Sequence, residues 1–241
     1  MSRALFVTGT DTGVGKTLVG RILCAAAREA GLRVAPFKPF ESGCARDPAG
    51  ALLPTDALAL RAACGLDDSA LSLNTCNVYS FTEPVAPGNA ARLAGTLIDQ
   101  QRVLRAFADL RARFDLVVIE GAGGLLVPLS ERLLVADLAA RLDAPLLIVA
   151  RDALGTINHT LLTVSEARRR GLHVAGVVLS RATPTPTPDV EQNAREISRL
   201  GDVAVFGTLP FIPQVDAVPP ADLVALAADG LHVPAILRAA A

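Results

Sequence analysis

Leu-Phe-Val-Thr-Gly-Thr-Asp-Thr-Gly-Val-Gly-Lys-Thr, residues 5–17, decides how the rest of the chain is read. A short apolar run leads into a glycine-bearing loop, and the loop opens a helical pattern over Leu18–Ala27. In this order, successive backbone N–H groups turn inward and cradle phosphate oxygens. The helix N-terminus adds partial positive charge, the lysine reaches the outer phosphates, and the threonine hydroxyl can ligate Mg²⁺. The strict pattern places glycine at residue 10, whereas here Thr10 stands there and Gly9 comes one position earlier. The strand before the loop and the helix after it carry the assignment despite that shift.

Outward from this loop, apolar bursts alternate with longer helical patterns. The bursts are Ala4–Thr8, Arg33–Phe37, Leu116–Ile119, Pro145–Ala150, Val174–Leu179 and Val203–Thr208. Near-continuous valine, isoleucine and leucine mark strands buried on both faces. Helical stretches fall near residues 16–30, 55–64, 97–113, 133–142, 156–170 and 189–200. Repeated strand–helix–strand order predicts an α/β fold: a doubly wound, mostly parallel sheet with helices on both faces. Ligands of such sheets bind beyond the carboxyl ends of the strands. Residues 66–95, with Pro84, Pro87, Gly88 and Gly95, break the rhythm and predict an irregular excursion. The Thr-Pro repeat at 183–188 predicts a stiff loop. One domain over 1–241 is expected.

The net charge of −1 gives no footprint for nucleic acid or an anionic membrane. The N-terminus reaches Gly9 too soon for a signal-peptide apolar region, and no apolar run approaches the ~20 residues of a membrane span. Cys24, Cys44, Cys64 and Cys76 form no Cys-x-x-Cys pair and have no histidine at metal-ligand spacing. A reduced, cytoplasmic protein is the expectation.

Only two lysines occur, Lys16 and Lys38, against 21 arginines among 23 basic residues. An ammonium is a compact charge with three rotatable donors; guanidinium is a wider planar fork. Lys16 ends the phosphate loop, and Lys38 lies in Phe-Lys-Pro-Phe-Glu-Ser-Gly, residues 37–43. Acids complete the candidate set. Glu120 ends the Leu116–Ile119 strand and is followed by Gly121-Ala122-Gly123-Gly124, a placement that suits a hard, oxygen-preferring cation. Asp56 sits in Pro54-Thr55-Asp56, where Thr55 could equally cap a helix with an acid in its first turn. Asp11 and Asp137 are further acids near strand ends with a structural role as the simpler expectation.

Taken together, these residues resemble the dethiobiotin synthetases. The likeness is carried by Thr8-Gly9-Thr10-Asp11-Thr12-x-Val14-Gly15-Lys16-Thr17, Lys38-Pro39-x-x-Ser42-Gly43, Asp56-Ala57-Leu58, and Glu83-Pro84 with Pro87. Glu120-Gly121-Ala122-Gly123-Gly124 and Gly155-x-Ile157-Asn158-His159 complete it, in order over residues 3–213. The resemblance implies a P-loop NTPase architecture and ATP-dependent carboxylation and ring closure of 7,8-diaminononanoate with CO₂. Dethiobiotin forms via a carbamate and a carbamic-phosphoric anhydride, with ADP and phosphate released. It implies Lys16, Lys38 and Ser42 as catalytic residues, and Mg²⁺ arranged by Thr17, Asp56 and Glu120. The triphosphate would lie on Gly13, Val14, Gly15, Lys16, Thr17 and Leu18, beside Gly121, Ala122 and Gly123. Ser42 would hold the reacting amine or carbamate. Gly155, Thr156 and Asn158 would take the substrate's distant carboxylate across a homodimer interface, the alternative being a plain helix cap on Thr156.

The chain departs from the family in two places. Where members often carry asparagine to read the adenine amino group, it has Ser180-Arg181, and serine lacks the paired donor and acceptor of an amide. Nucleotides other than ATP are therefore expected to serve; Pro210, Phe211 and Ile212 would flank the base. Gly13 stands where some members have glutamate, so no carboxylate role transfers there. Two other classes share the loop. Switch-type ATPases carry an additional lysine at its start, where this chain has Thr10 and Asp11, and their membrane-binding members use a basic amphipathic tail; residues 221–241 hold one basic residue, Arg238. An amidotransferase-linked ligase of the cobyrinic acid synthase kind needs a glutaminase domain, for which no room is expected after residue 213.

Overall fold

The computed structural model describes residues 2–184 and 190–240. The chain begins with β1 (Arg3–Gly9), the phosphate-loop turn, and α1 (Lys16–Glu29). After β2 (Val34–Phe37) it makes three short strands, β3 (Phe40–Ser42), β4 (Ala45–Arg46) and β5 (Leu52–Leu53). The segment α2 (Thr55–Ala63), α3 (Leu73–Cys76), β6 (Tyr79–Phe81) and α4 (Pro87–Leu93) leads to α5 (Gln100–Arg113). Then come β7 (Leu116–Gly124), the small pair β8 (Pro128–Ser130) and β9 (Leu133–Leu134), and α6 (Val135–Leu142). The second half runs β10 (Leu146–Arg151), α7 (Thr156–Arg169), β11 (Val174–Ser180), α8 (Val190–Gly201) and β12 (Val205–Leu209). Two single turns precede α9 (Leu223–Ala227) and α10 (Val233–Ala239).

Six strands form one parallel sheet in the order β12-β11-β10-β1-β7-β2. The expected α/β sheet with helices on both faces is therefore present, and each of its six strands overlaps one apolar burst. Side-chain alternation divides the packing. On β7, Val117 and Ile119 join one core with Phe6, Phe37 and the α5 residues Val103, Phe107 and Leu110. Leu116 and Val118 join the other with Leu5, Val7 and the α1 residues Val19, Ile22, Leu23 and Ala26. Those α1 positions recur at three and four residues, the helical period of a buried stripe. Phe6 is fully buried, so removing its ring costs about 3–5 kcal/mol.

Strand register positions the chemistry. Phe37 lies opposite Ile119, so the next residue of each segment, Lys38 and Glu120, emerges at the same edge. Val7 pairs with Glu120 on the other side, which sets the phosphate loop beside that acid.

The structure corrects two expectations and removes two alternatives. The strand expected to end at Glu120 continues to Gly124. The stretch 66–95 is not merely irregular: β6 pairs in parallel with β3, and α4 packs beside them. Thr55 does not cap α2; Pro54 holds the N-cap position, with no capping bond from its side chain. Thr156 does not cap α7 either, since Gly155 takes that position at φ 92°. Of the Thr-Pro loop expected at 183–188, residues 185–188 lie outside the described residues.

Candidate active site

A cavity of about 930 Å³ opens at the carboxyl ends of β1, β2 and β7, within the size range of small-molecule sites. Both lysines line it. So do Thr12, Gly13, Gly15, Thr17, Leu18, Ser42, Asp56, Glu120, Ala122 and Gly123, together with Glu41, Arg21 and the Pro84–Pro87 turn.

The phosphate loop explains its shifted glycine. A Cβ on Gly9 would come within 2.6 Å of Asp11 O and 2.9 Å of Val14 Cγ2, so the loop can close on itself only if residue 9 has no side chain. Gly15 adopts φ 96°, and a Cβ there would meet Ser180 Oγ at 2.7 Å. Lys16 folds back so that Nζ donates to Asp11 O at 3.2 Å. Burial pulls its ammonium below the ordinary lysine value and neighbouring Lys38 pulls the same way, while Glu120 and Asp56 oppose them.

Lys38 is held from behind by the excursion. Its N–H donates to Cys76 O, and Asn77 Nδ2 donates to Lys38 O, each at 2.8 Å. Its ammonium donates to Glu120 and lies 3.0 Å from Asp56 Oδ2. Burial alone would lower this lysine; Glu120 and Asp56 outweigh it and leave the ammonium firmly protonated, above the usual range. Burial pushes Glu120 upward and Asp56 adds to that, with Lys38 opposing. Asp56, although also raised by desolvation, ends below its ordinary value because Lys38 faces it.

Thr17 Oγ1 donates to Glu120 Oε1 at 3.0 Å. The other oxygen, Oε2, is buried and has no hydrogen-bond partner among the described residues. An orphaned carboxylate oxygen normally costs stability. It shares the cavity with Asp56 and the Thr17 hydroxyl, and these oxygen donors are of the kind a hard divalent cation takes. No group of three or more His, Cys, Asp or Glu side chains among the described residues could hold a metal unaided.

Two charged residues lining the cavity have no signal in the sequence. Glu41, in the unassigned middle of Lys-Pro-x-x-Ser-Gly, accepts from the backbone N–H of Asp56 (2.9 Å) and of Ala57 (3.0 Å). It is the cap that Pro54 cannot provide, supplied to α2 from β3. Burial, helped by Asp56, raises its carboxyl to about 7. Arg21 lies one turn past Thr17 on α1, and its guanidinium reaches across to carbonyls near the chain's end. Neither contact has a local signature, since the partners are 15 and 194 residues away.

Other expected site residues stand apart from the cavity. Ser180 packs on Gly15; Arg181 Nε pairs with buried Asp152 at 3.3 Å, and Asn193 Nδ2 donates to the same carboxylate at 3.1 Å. Pro210, Phe211 and Ile212 follow β12 without lining the cavity, and Ile212 packs against the α1 side of the core. Gly155, Thr156 and Asn158 open α7 away from it. Asn158 is exposed, neighbouring Leu154 is 99% exposed, and the buried Thr156 hydroxyl has no partner among the described residues. Asp137 Oδ2 accepts from Leu134 N at 2.8 Å and Oδ1 pairs with Arg170, a structural use of that acid. Asp11 accepts from Thr12 N in the loop.

Comparison with known proteins agrees on the class. The model of an AAA domain family matches residues 3–219. A relative from Anaeromyxobacter dehalogenans named ATP-dependent dethiobiotin synthetase is 49% identical over 88% of this chain and 92% of its own length. A Bacillus cereus protein of the same name is 40% identical over 86% of this chain and 82% of its own length. Among solved structures, the septum site-determining protein MinD of Pyrococcus horikoshii, in complex with Mg-ADP, superposes with a TM-score of 0.55 at 16% identity. That alignment covers 100% of this chain and 95% of MinD. A ParA family ATPase from Chlorobium tepidum gives 0.54 at 14% identity, over 99% and 97%. At such identities the two structures show a shared fold alone.

Proposed function

The chain belongs to the dethiobiotin synthetase family, a family of ATP-dependent ligases, and we propose that its cleft joins CO₂ to 7,8-diaminononanoate and closes the ureido ring of dethiobiotin. The observation that carries this reading is that Lys16 and Lys38 line one cavity together with Asp56 and Glu120.

One substrate amine adds to CO₂, forming a C–N bond and releasing a proton, to give a carbamate. A carbamate oxygen displaces ADP from the γ-phosphorus, and the second amine then attacks the carbonyl carbon of the mixed anhydride, forming the second C–N bond, expelling phosphate and releasing a proton. Carbamate and triphosphate are both anionic, so bringing them together needs fixed positive charge in a water-poor site. Lys16 holds the β- and γ-phosphates on the Gly13–Leu18 loop, with Gly121, Ala122 and Gly123 beside them. Lys38 holds the carbamate and the transferring phosphoryl, and its contacts with Asp56 and Glu120 keep it protonated as charge moves. Ser42 orients the reacting amine. Thr17, Asp56 and Glu120 would hold Mg²⁺, which would supply neutralisation of phosphate charge.

Ser180 and Arg181 with Pro210, Phe211 and Ile212, which stand outside the phosphate-loop cavity, would border the base where the nucleotide extends beyond it. Gly155, Thr156 and Asn158 receive the substrate's carboxylate from a second subunit. The exposure of Gly155, Asn158 and neighbouring Leu154 supports a homodimer in which this helix start is covered. We take the chain to work as one domain in the cytoplasm; no helix among the described residues is long and apolar enough to cross a membrane. The test is incubation with MgATP, ¹³C-bicarbonate and the diamine. A product carrying one label at the mass of dethiobiotin supports the reading; phosphate release without such a product counts against it.

A further inference from the structure

We propose that Arg21 is a positioning residue for the nucleoside end of the cleft: it ties Val215 and Val218 to the phosphate-loop helix and so sets where the wall around base and ribose stands. The inference rests on the nucleotide reading of the cleft given above.

Position 21 falls in a buried stretch of α1, between Gly20 and the apolar Ile22 and Leu23, yet it carries an arginine, a residue only 6% exposed here. A buried cation is costly unless its donors are satisfied. Here Nη1 donates to Val215 O at 2.9 Å and Nη2 to Val218 O at 2.6 Å. These are charge-assisted bonds, about twice as strong as neutral ones, and the fork geometry of guanidinium lets one side chain hold two carbonyls at once.

The segment held in this way has little structure of its own. Residues 210–218 contain no strand and a single 3₁₀ turn, Val215–Ala217, entered through Gln214 at φ 49°. Ile212 and Val218 lean on the α1 side of the core, and Arg21 supplies the polar anchor.

Location links the anchor to the ligand. Arg21 is four residues past Thr17, on the same helix face and about 6 Å further along the axis. Leu18, Arg21 and Val215 line the cavity that the phosphate loop also lines. A triphosphate seated on Gly13–Thr17 has its nucleoside within that reach. Ser180, the position expected to read the base, packs instead on Gly15 and lacks an amide, so discrimination falls to the shape of a wall that Arg21 positions.

The experiment compares Arg21→Ala and Arg21→Lys with the unaltered chain. It follows the KM for ATP, GTP and CTP, inhibition by inorganic tripolyphosphate, and hydrogen exchange of the Ala217 and Val218 amides. Loss of the fork should raise nucleotide KM about tenfold or more while turnover at saturation stays within about threefold. Tripolyphosphate, which has no nucleoside, should inhibit as before, and the two amides should exchange faster. Arg21→Lys should fall between, and it carries the test if the alanine variant does not fold. Unchanged nucleotide KM, unchanged exchange, or an equal loss for tripolyphosphate would overturn the proposal while leaving the nucleotide reading standing. No nucleotide-dependent phosphate release from the unaltered chain would sink that reading, and this proposal with it.

Discussion

Lys38 Nζ stands 3.0 Å from Asp56 Oδ2 while also donating to Glu120, so the end of β2, the first turn of α2 and the middle of β7 meet on a single ammonium. With Lys16 in the same cleft, two ammonium groups face two carboxylates, so the cluster is charge-balanced in the ground state. In the proposed reaction an incoming carbamate or phosphoryl oxygen would take a share of the Lys38 ammonium, and a divalent cation taking up the carboxylates would free it to turn. An ammonium with three rotatable donors suits such an exchange; a planar fork does not.

Glu41 ties this arrangement together, because it holds the first turn of α2 on which Asp56 sits. Replacing it by alanine leaves two helix N–H groups without their acceptor. The expected loss is about 1–2 kcal/mol of stability, read by denaturant unfolding, with turnover falling further than stability explains as Asp56 shifts. Glu41→Gln keeps one acceptor and should recover part of both. Equal turnover in all three proteins would show that Asp56 does not depend on this cap.

Away from the site, Arg33 and Asp115 join the loop before β2 to the start of β7. Asp115 accepts from Arg33 Nη2 at 2.6 Å and from the Arg33 backbone N–H at 3.0 Å. These bonds hold its carboxyl down at about 2. A carboxylate with a depressed native value stabilises the fold above its ordinary range near 4, and that contribution is lost as pH falls through the native value. Unfolding midpoints measured from pH 5 to pH 2 should therefore fall more steeply for the unaltered chain than for Asp115→Asn. Parallel curves would refute the assignment.

Nucleotide choice is expected to be loose. Ser180 Oγ is packed toward Gly15 and carries no amide to match the adenine edge. At limiting concentration, ATP should compete poorly against GTP, CTP or UTP in diamine-dependent phosphate release. Exclusive use of ATP would contradict the inference and would require another group to read the base.

The parallel sheet was legible because its strands are long apolar bursts and each is followed by a helical period. The smaller pieces were not. β3 and β6 have three residues each, too few for an alternation to register, although their pairing helps to seat Lys38 and Ser42. Lys16, Lys38, Asp56 and Glu120 could be found because loops and strand ends expose their chemistry locally. Glu41 and Arg21 could not, since what makes them matter is a backbone group far away in the chain. Pro54 hid the cap of α2 in a similar way: a helix whose N-cap residue has no acceptor takes one from elsewhere, and sequence does not say from where.

The most direct measurement is turnover of Lys38→Arg at saturating MgATP, bicarbonate and diamine, taken beside its nucleotide affinity. Turnover should drop by about a hundredfold or more, the scale of losing one charge-stabilising donor, with nucleotide affinity nearly intact because Lys16 and the loop are untouched. Near-normal turnover with the guanidinium in place would contradict the claim that two ammonium groups sharing one cleft make the reaction possible.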